Sequence, residues 1–140
     1  MQTFLPLPDF KESARVLDDK RLGKQRVEAY QVMRVLAGMT KGWRNHPAVL
    51  MWRDYEGALY EYGRLVCVEW RERGFNDSLL EAFPKDKVVL PPWLGYDEFH
   101  TSHQANLVRK LPEHYRKYFP EVDEHLPYYW PTKETTWLEK

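Results

Sequence analysis

The sequence predicts an all-α protein, and three observations carry the prediction. Apolar residues recur at helical spacing across 19–37 and again across 47–73, and a glycine, Gly38 or Gly74, stands where each pattern stops. No segment alternates apolar and polar residues with the period of two that a half-buried strand requires. With 140 residues the chain is long enough to bury one hydrophobic core without disulfide or metal staples, so residues 1–140 are expected to form a single domain.

The chain starts extended. Thr3-Phe4-Leu5 is interrupted by Pro6 and Pro8, and Asp9 then supplies the N-cap of a short helix through about Val16. A longer helix begins at Asp18 or Asp19 and runs to Ala37. Within it Leu22, Ala29, Tyr30, Met33 and Leu36 make a core-seeking stripe, with Arg21, Lys24, Gln25 and Glu28 on the opposite face. Lys41-Gly42-Trp43-Arg44-Asn45-His46 is a loop leading to Pro47, which suits the first position of a helix. From Pro47 the pattern stays helical to Arg73, with Gly57 and Gly63 expected to bend or divide it. Residues 76–83 suit a short helix, and Pro84 to Pro92 is a loop whose Val88-Val89-Leu90 is expected to pack on the core. A helix from about Tyr96 to Lys110 carries His100 and His103, and Pro112 opens a short one through Phe119. The tail is loop, with Tyr128-Tyr129-Trp130 and Trp137 as an aromatic strap over the core or over a ligand.

Hydrophobic residues at 43% and charged residues at 30% are ordinary for a soluble protein, whereas six Trp and nine Tyr are many. These rings must serve as core, as stacking platforms, or as both. A formal net charge of zero argues against indiscriminate coating of nucleic acid, yet residues 1–53 hold ten Lys or Arg against five Asp or Glu. Residues 54–87 lean acidic and 99–119 lean basic again, so either two basic segments converge on one surface or the charge simply varies along the chain. The single cysteine, Cys67, sits between Val66 and Val68 and reads as a small buried hydrophobe. No apolar run reaches the roughly 18 residues that span a bilayer, and the first residues have no signal-peptide character, so a cytoplasmic protein with no membrane partner is expected.

Three features bear on chemistry. His100 and His103 are three apart on a predicted helix, a spacing two metal ligands can use, with His46 as a third from a loop; the same histidines also suit a surface facing phosphate. No Gly-rich phosphate loop occurs, and no Ser or Cys stands in a nucleophilic setting. Glu28 stands among cations on the helix that begins at Asp19. A basic face invites phosphate and a carboxylate repels it, so Glu28 needs a local partner or a chemical role. Lys24, four residues earlier, is a candidate partner, but such a surface pair contributes only about 0.2–0.5 kcal/mol, and a Lys preceding its Glu is the poorer orientation.

Four motifs in order extend the reading. Asp19-Lys20-Arg21-Leu22 followed by Glu28, Arg73-Gly74-Phe75-Asn76, Ser102-His103-Gln104-Ala105 and Pro112-Glu113-His114-Tyr115-Arg116-Lys117-Tyr118 together resemble the pyrimidine dimer DNA glycosylases, the endonuclease V-like family. The resemblance implies a compact all-α fold with the N-terminal segment packed between helices. It implies a DNA repair enzyme, a DNA N-glycosylase with apurinic/apyrimidinic lyase activity, acting as a monomer on double-stranded DNA without cofactor or metal. The family's nucleophile is the amino group at the chain's own N-terminus. It attacks the sugar C1′ and forms a Schiff base, a helical Glu assists, and β-elimination then breaks the backbone.

Carried onto this chain, the resemblance makes Met1 and Glu28 catalytic. An α-amine suits the task because its ordinary pKa is about 7.7–8.0 against about 10.4 for Lys, so part of it is neutral near pH 7. The DNA contacts implied are Gln2, Arg21, Lys24 and Arg26 near the catalytic pair. Lys41, Arg44, His46, His100, His103, Arg109, Lys110, Arg116 and Lys117 extend them as a flanking clamp. Tyr128, Tyr129 and Trp130 either wedge against exposed bases or pack in the core.

The chain departs from the family pattern at two places. The family archetype exposes a Thr followed by an Arg, whereas this chain begins Met1-Gln2, and Gln is too bulky for normal removal of the initiator, so the amine is expected to belong to Met1. Arg21 stands where the family typically has a His, and the loop from Gly38 to Pro47 differs, which leaves the excised base open between a pyrimidine dimer, another damaged base and a modified base of foreign DNA. Two further classes remain from sequence: a helical DNA-binding module without chemistry, and a histidine-based metal-dependent hydrolase.

Overall fold

A computed structural model describes residues 1–131. Among the described residues there are six α-helices, one 3-10 turn and no strand: α1 (Phe10–Val16), α2 (Asp19–Leu36), α3 (Pro47–Leu50), α4 (Glu56–Glu72), the 3-10 turn Leu80–Ala82, α5 (Asp97–Lys110) and α6 (Pro112–Tyr115). Trp137 lies outside the described residues. No helix among them is long and apolar enough to cross a membrane.

Local sequence sets most of the boundaries. The Asp9 carboxylate accepts the Glu12 N–H at 2.9 Å and caps α1. Helix α2 ends just before Gly38, whose φ of 76° is open to glycine without a Cβ penalty.

The expected continuous helix from Pro47 to Arg73 is instead two helices joined by a turn over 51–54. Asp54 sits at φ 73°, a left-handed conformation that Asp tolerates better than most residues, and its N–H is accepted by the Glu56 carboxylate. The break lets Met51 and Trp52 turn into the core, where the Trp52 indole N–H donates to Thr3 Oγ1 at 3.0 Å. Gly57 and Gly63, predicted as bends, lie inside an unbroken α4 and serve close approach. A Cβ on Gly57 would fall 2.1 Å from the Lys87 carbonyl oxygen, and one on Gly63 would fall 2.5 Å from the Phe83 ring. The backbone at Lys87 is what meets α4 here; Val88, Val89 and Leu90, expected to pack, are largely exposed.

Helix α4 is the spine, with α2 packed along it and α1 across it, while α5 and α6 pack together. The core between them joins Leu22, Ala29 and Val32 of α2 to Leu59, Tyr62 and Val66 of α4, with Phe99 and Leu107 of α5. Trp52, Trp93 and Phe99 stand ring against ring at its centre, 5.1 and 4.9 Å apart. Cys67 is fully buried, and burial together with the charge of Asp77 pushes its thiol up to about 12, which keeps it an unreactive packing group at neutral pH.

Helix α2 buries more than the predicted stripe. Gln25, Glu28, Val32 and Val35 form a second buried row beside Leu22, Ala29 and Met33. Gln25 and Glu28 therefore face the interior side of the helix, because the N-terminal segment covers that side.

Candidate functional site

Residues 2–7 run through the interior in extended form, and side chains take the place of a neighbouring strand. Gln25 Oε1 accepts the Phe4 N–H at 2.8 Å while Gln25 Nε2 donates to the Gln2 carbonyl at 3.1 Å. The Tyr62 hydroxyl donates to the Phe4 carbonyl at 2.7 Å. His103 Nδ1 accepts the Leu5 N–H and His100 Nδ1 donates to the Leu5 carbonyl, both at 2.8 Å. Gln104 donates to the Pro6 carbonyl at 2.8 Å, and the Ser13 hydroxyl meets both the N–H and the carbonyl of Leu7. A buried backbone has to find partners for its polar groups, and here α1, α2, α4 and α5 each supply one or more. The result fixes where Met1 emerges.

Met1 emerges beside Glu28. The two residues together line a pair of adjoining clefts. One cleft, of about 410 Å³, is edged by Lys20, Arg21 and Lys24 of α2 and by Lys110 at the end of α5, with Tyr128 and Trp130 from the tail. The other, of about 530 Å³, is bounded by Gln31, Arg34, Thr40 and Trp43. Among the described residues Glu28 has neither a hydrogen-bond nor an ion-pair partner, and Lys24 forms no bridge to it. Glu28 is 9% exposed, so the carboxylate is confined yet open to the cleft.

His46 belongs to the same electrostatic field. Its Nδ1 accepts the Ala48 N–H at 3.0 Å as the N-cap of α3. Its pKa is held below the usual value first by burial and then by the positive charge of the chain's amino terminus, with Glu28 acting in the opposite sense. The His46 ring stands edge-on to Trp43 at 5.5 Å and to Trp130 at 5.8 Å. Glu28 also reaches Tyr62, where burial and that negative charge keep the phenol protonated as a donor to the N-terminal segment.

The remaining sequence-predicted contacts divide into those on the cleft and those spent on the fold. Gln2, Arg21, Lys24 and Lys110 line the cationic cleft. Arg21 also pairs with Asp18 at 3.2 Å; burial opposes ionisation of that Asp, and the Tyr115 hydroxyl with Arg21 overcomes it and holds the carboxyl below its usual range. Lys41 and Arg44 are exposed on the loop after α2, and Lys117 is exposed after α6.

Five predicted contacts are corrected. His100 and His103 are buried, 4% and 0% exposed, and hold Leu5 instead of facing DNA. His100 spends its second nitrogen on the Gly95 N–H, which leaves none for the metal-ligand reading. Arg26 is engaged by Asp77 at 2.8 Å and lies over the Trp70 ring, tying the turn after α4 back to α2. Arg109 donates to the Glu124 and Leu126 carbonyls, because a tail without regular structure needs donors for its backbone oxygens. Arg116 does the same, reaching the Val122 carbonyl at 2.7 Å.

Sequence reasoning missed Gln25 as a clamp and Lys20, Gln31, Thr40 and Trp43 as cleft residues. For Gln25 the signal existed: Leu22, Gln25 and Ala29 share core spacing on one helical face.

Fold and site define a class: a helical protein that presents its own terminal amine and a carboxylate together on a cation-edged cleft. The family model for pyrimidine dimer DNA glycosylase matches residues 1–80, which include both Met1 and Glu28, and the chain belongs to that family. Comparison with curated proteins and with solved structures found no match.

Proposed function

We propose that the protein is a DNA glycosylase with apurinic/apyrimidinic lyase activity, acting on a damaged or modified base in duplex DNA. The observation that carries this reading is the shared cleft of Met1 and Glu28, in which the carboxylate has no partner among the described residues and the amine forms no ion pair with it. An uncommitted acid facing an amine across open space leaves room for a sugar.

The neutral Met1 amine attacks C1′, the C1′–N bond to the base breaks, and the base leaves with a proton. Glu28 stabilises the positive charge that develops on the sugar as this bond weakens. Loss of a proton from nitrogen as the ring opens gives the imine, a Schiff base between Met1 and the sugar. Glu28 next removes a proton from C2′, the electron pair moves to expel the 3′ phosphate, and the strand is cut; water then hydrolyses the imine and returns the amine. Lys20, Arg21, Lys24 and Lys110 hold the phosphates that flank this sugar.

The test is borohydride trapping on a duplex containing an abasic site, with mass mapping of the adduct. The expected result is a covalent product on the Met1 nitrogen, no strand cleavage by Glu28→Gln, and no adduct after acetylation of the terminus. Unchanged trapping by the acetylated protein refutes the nucleophile. Salt-dependent binding with no adduct at all would leave a helical DNA-binding protein without the chemistry.

A further inference from the structure

Among the described residues, four cations line the cleft of about 410 Å³, and they differ in how they are held. Lys20, Lys24 and Lys110 are exposed and form no ion pair among those residues. Arg21 is gripped. Its Nη1 donates to both carboxylate oxygens of Asp18, at 3.3 and 3.2 Å, whereas its Nε and Nη2 have no hydrogen-bond partner among the described residues. One side of the guanidinium is thus fixed, and the other is left for a ligand.

Asp18 is itself placed by a buried partner. It occupies the N-cap position of α2, where a carboxylate ordinarily accepts a backbone N–H of the first turn, yet its side chain makes no such bond. The carboxylate turns sideways instead: the Tyr115 hydroxyl donates to Asp18 Oδ1 and accepts the Asp18 N–H at 3.0 Å. Tyr115, on α6, is fully buried, and burial together with its bond to Asp18 keeps the phenol protonated as a donor. Its neighbour His114 donates from Nε2 to the Val16 carbonyl at 2.8 Å, which fastens α6 to the junction of α1 and α2. The helix goes without a side-chain cap of its own, and the result is a guanidinium fixed at the cleft.

We propose that Tyr115 and Asp18 are positioning residues that aim the free edge of Arg21 at the phosphate on the 3′ side of the attacked sugar, the group expelled when the strand is cut. The proposal rests on the glycosylase and lyase reading above and deepens it by dividing the cations between two tasks. Arg21 stands two helical turns, about 10 Å, before Glu28 on the same face of α2. A sugar at Glu28 therefore has its phosphate towards Arg21. In the elimination Glu28 takes the C2′ proton, the C2′–H electron pair becomes the C2′–C3′ double bond, and the C3′–O pair leaves with the phosphate. A diester with one negative charge departs as a monoester with close to two. A cation already fixed where that charge grows stabilises the transition state more than the starting duplex, and its planar fork meets two phosphate oxygens at once. The lysines, as unpaired point charges, contribute affinity instead.

The experiment follows one abasic duplex through two readouts: borohydride trapping, which counts the imine, and strand cleavage, which counts the elimination. Asp18→Ala leaves the Arg21 charge in place and removes its grip. DNA affinity by fluorescence anisotropy should then hold or rise, while the ratio of cleavage rate to trapping rate falls about tenfold. Asp18→Asn, which keeps an acceptor for Arg21 and Tyr115, should retain most of the ratio. Tyr115→Phe should lower it several-fold, and Arg21→Lys, which keeps the charge and loses the fork, should lower it as Asp18→Ala does. A merely structural role would instead reduce affinity, trapping and cleavage together. A ratio that stays at the wild-type value in both Asp18→Ala and Arg21→Lys overturns the proposal, as does a fall in trapping that matches the fall in cleavage. Failure of the wild-type protein to give any borohydride adduct would instead remove the glycosylase chemistry, so the two failures are distinct.

Discussion

At the scale of single residues, Gln25 does the most to place the site. Its carboxamide offers an acceptor and a donor in the spacing of a peptide group, and the N-terminal segment pairs with it as one strand pairs with the next. Replacing it by Leu keeps the volume and removes both functions, so the Phe4 N–H and the Gln2 carbonyl are left buried without partners. Gln25→Leu should destabilise the protein by about 1–3 kcal/mol in urea denaturation. It should also reduce borohydride trapping by more than that loss of folded protein explains, because the amine is no longer held beside Glu28. Equal losses in the two measurements would mean that the segment finds its place without this clamp.

At the scale of elements, α5 combines packing with a pH-sensitive clasp. His100 and His103 grip Leu5 as neutral rings, and burial lowers the pKa of both; the nearby His100 adds to the effect on His103, which falls to about 3. An unfolded chain takes up a proton at each histidine near pH 6.5, whereas the folded protein leaves His103 unprotonated until near its own lower value. Acid therefore favours the unfolded state. Stability should be complete above about pH 7 and decline as the pH falls from about 6.5 towards 3, by up to about 1.4 kcal/mol per pH unit from His103, with His100 acting in the same sense. Denaturation at pH 7, 6 and 5 measures the slope, and His103→Gln, which keeps an acceptor for Leu5 but does not titrate, should flatten it.

The helices themselves were largely legible in the sequence, and the exceptions have physical causes. Asp9, Gly38, Pro47, Gly74 and Pro112 act locally, and the boundaries they mark agree with the structure to within a few residues. The turn between α3 and α4 carries no Gly or Pro, and Met51 and Trp52 fit a helical stripe as well as they fit a turn, so periodicity ran straight through it. Gly57 and Gly63 signalled something real, but what they permit is the approach of residues twenty or more positions away, at Phe83 and Lys87. The burial of Gln25, His100 and His103 is equally non-local. Polar side chains at core spacing are needed only because an extended segment from elsewhere must be hydrogen-bonded. The neighbourhood of Met1 and Glu28 comes from the family likeness and not from any spacing, since nothing in residues 1–28 taken alone brings position 1 back to the middle of α2.

At the scale of the whole molecule, a net charge of zero conceals an uneven surface. Lys20, Arg21 and Lys24 converge with Lys110 from the far end of the sequence, while Asp97 and Glu98 line a separate depression with Tyr128 and Tyr129. Binding to duplex DNA should therefore weaken with salt, and Lys24→Ala and Lys110→Ala should each reduce the slope of log affinity against log salt by about one. Arg26→Ala should leave that slope unchanged and instead destabilise the fold by about 1–3 kcal/mol, since buried Asp77 would lose its shortest ion pair and keep only Arg71 and the Leu80 N–H as partners. A slope insensitive to both lysines would show that the convergence of charge is incidental.

The anchoring of residues 2–7 has a practical corollary for anyone handling the protein. The leading end has no slack to retreat, so a purification handle or carrier fused ahead of Met1 would emerge into the clefts that Met1 and Glu28 line. Such a leader also turns the terminal amine into an amide, so tagged preparations should lose borohydride trapping while melting like the untagged protein.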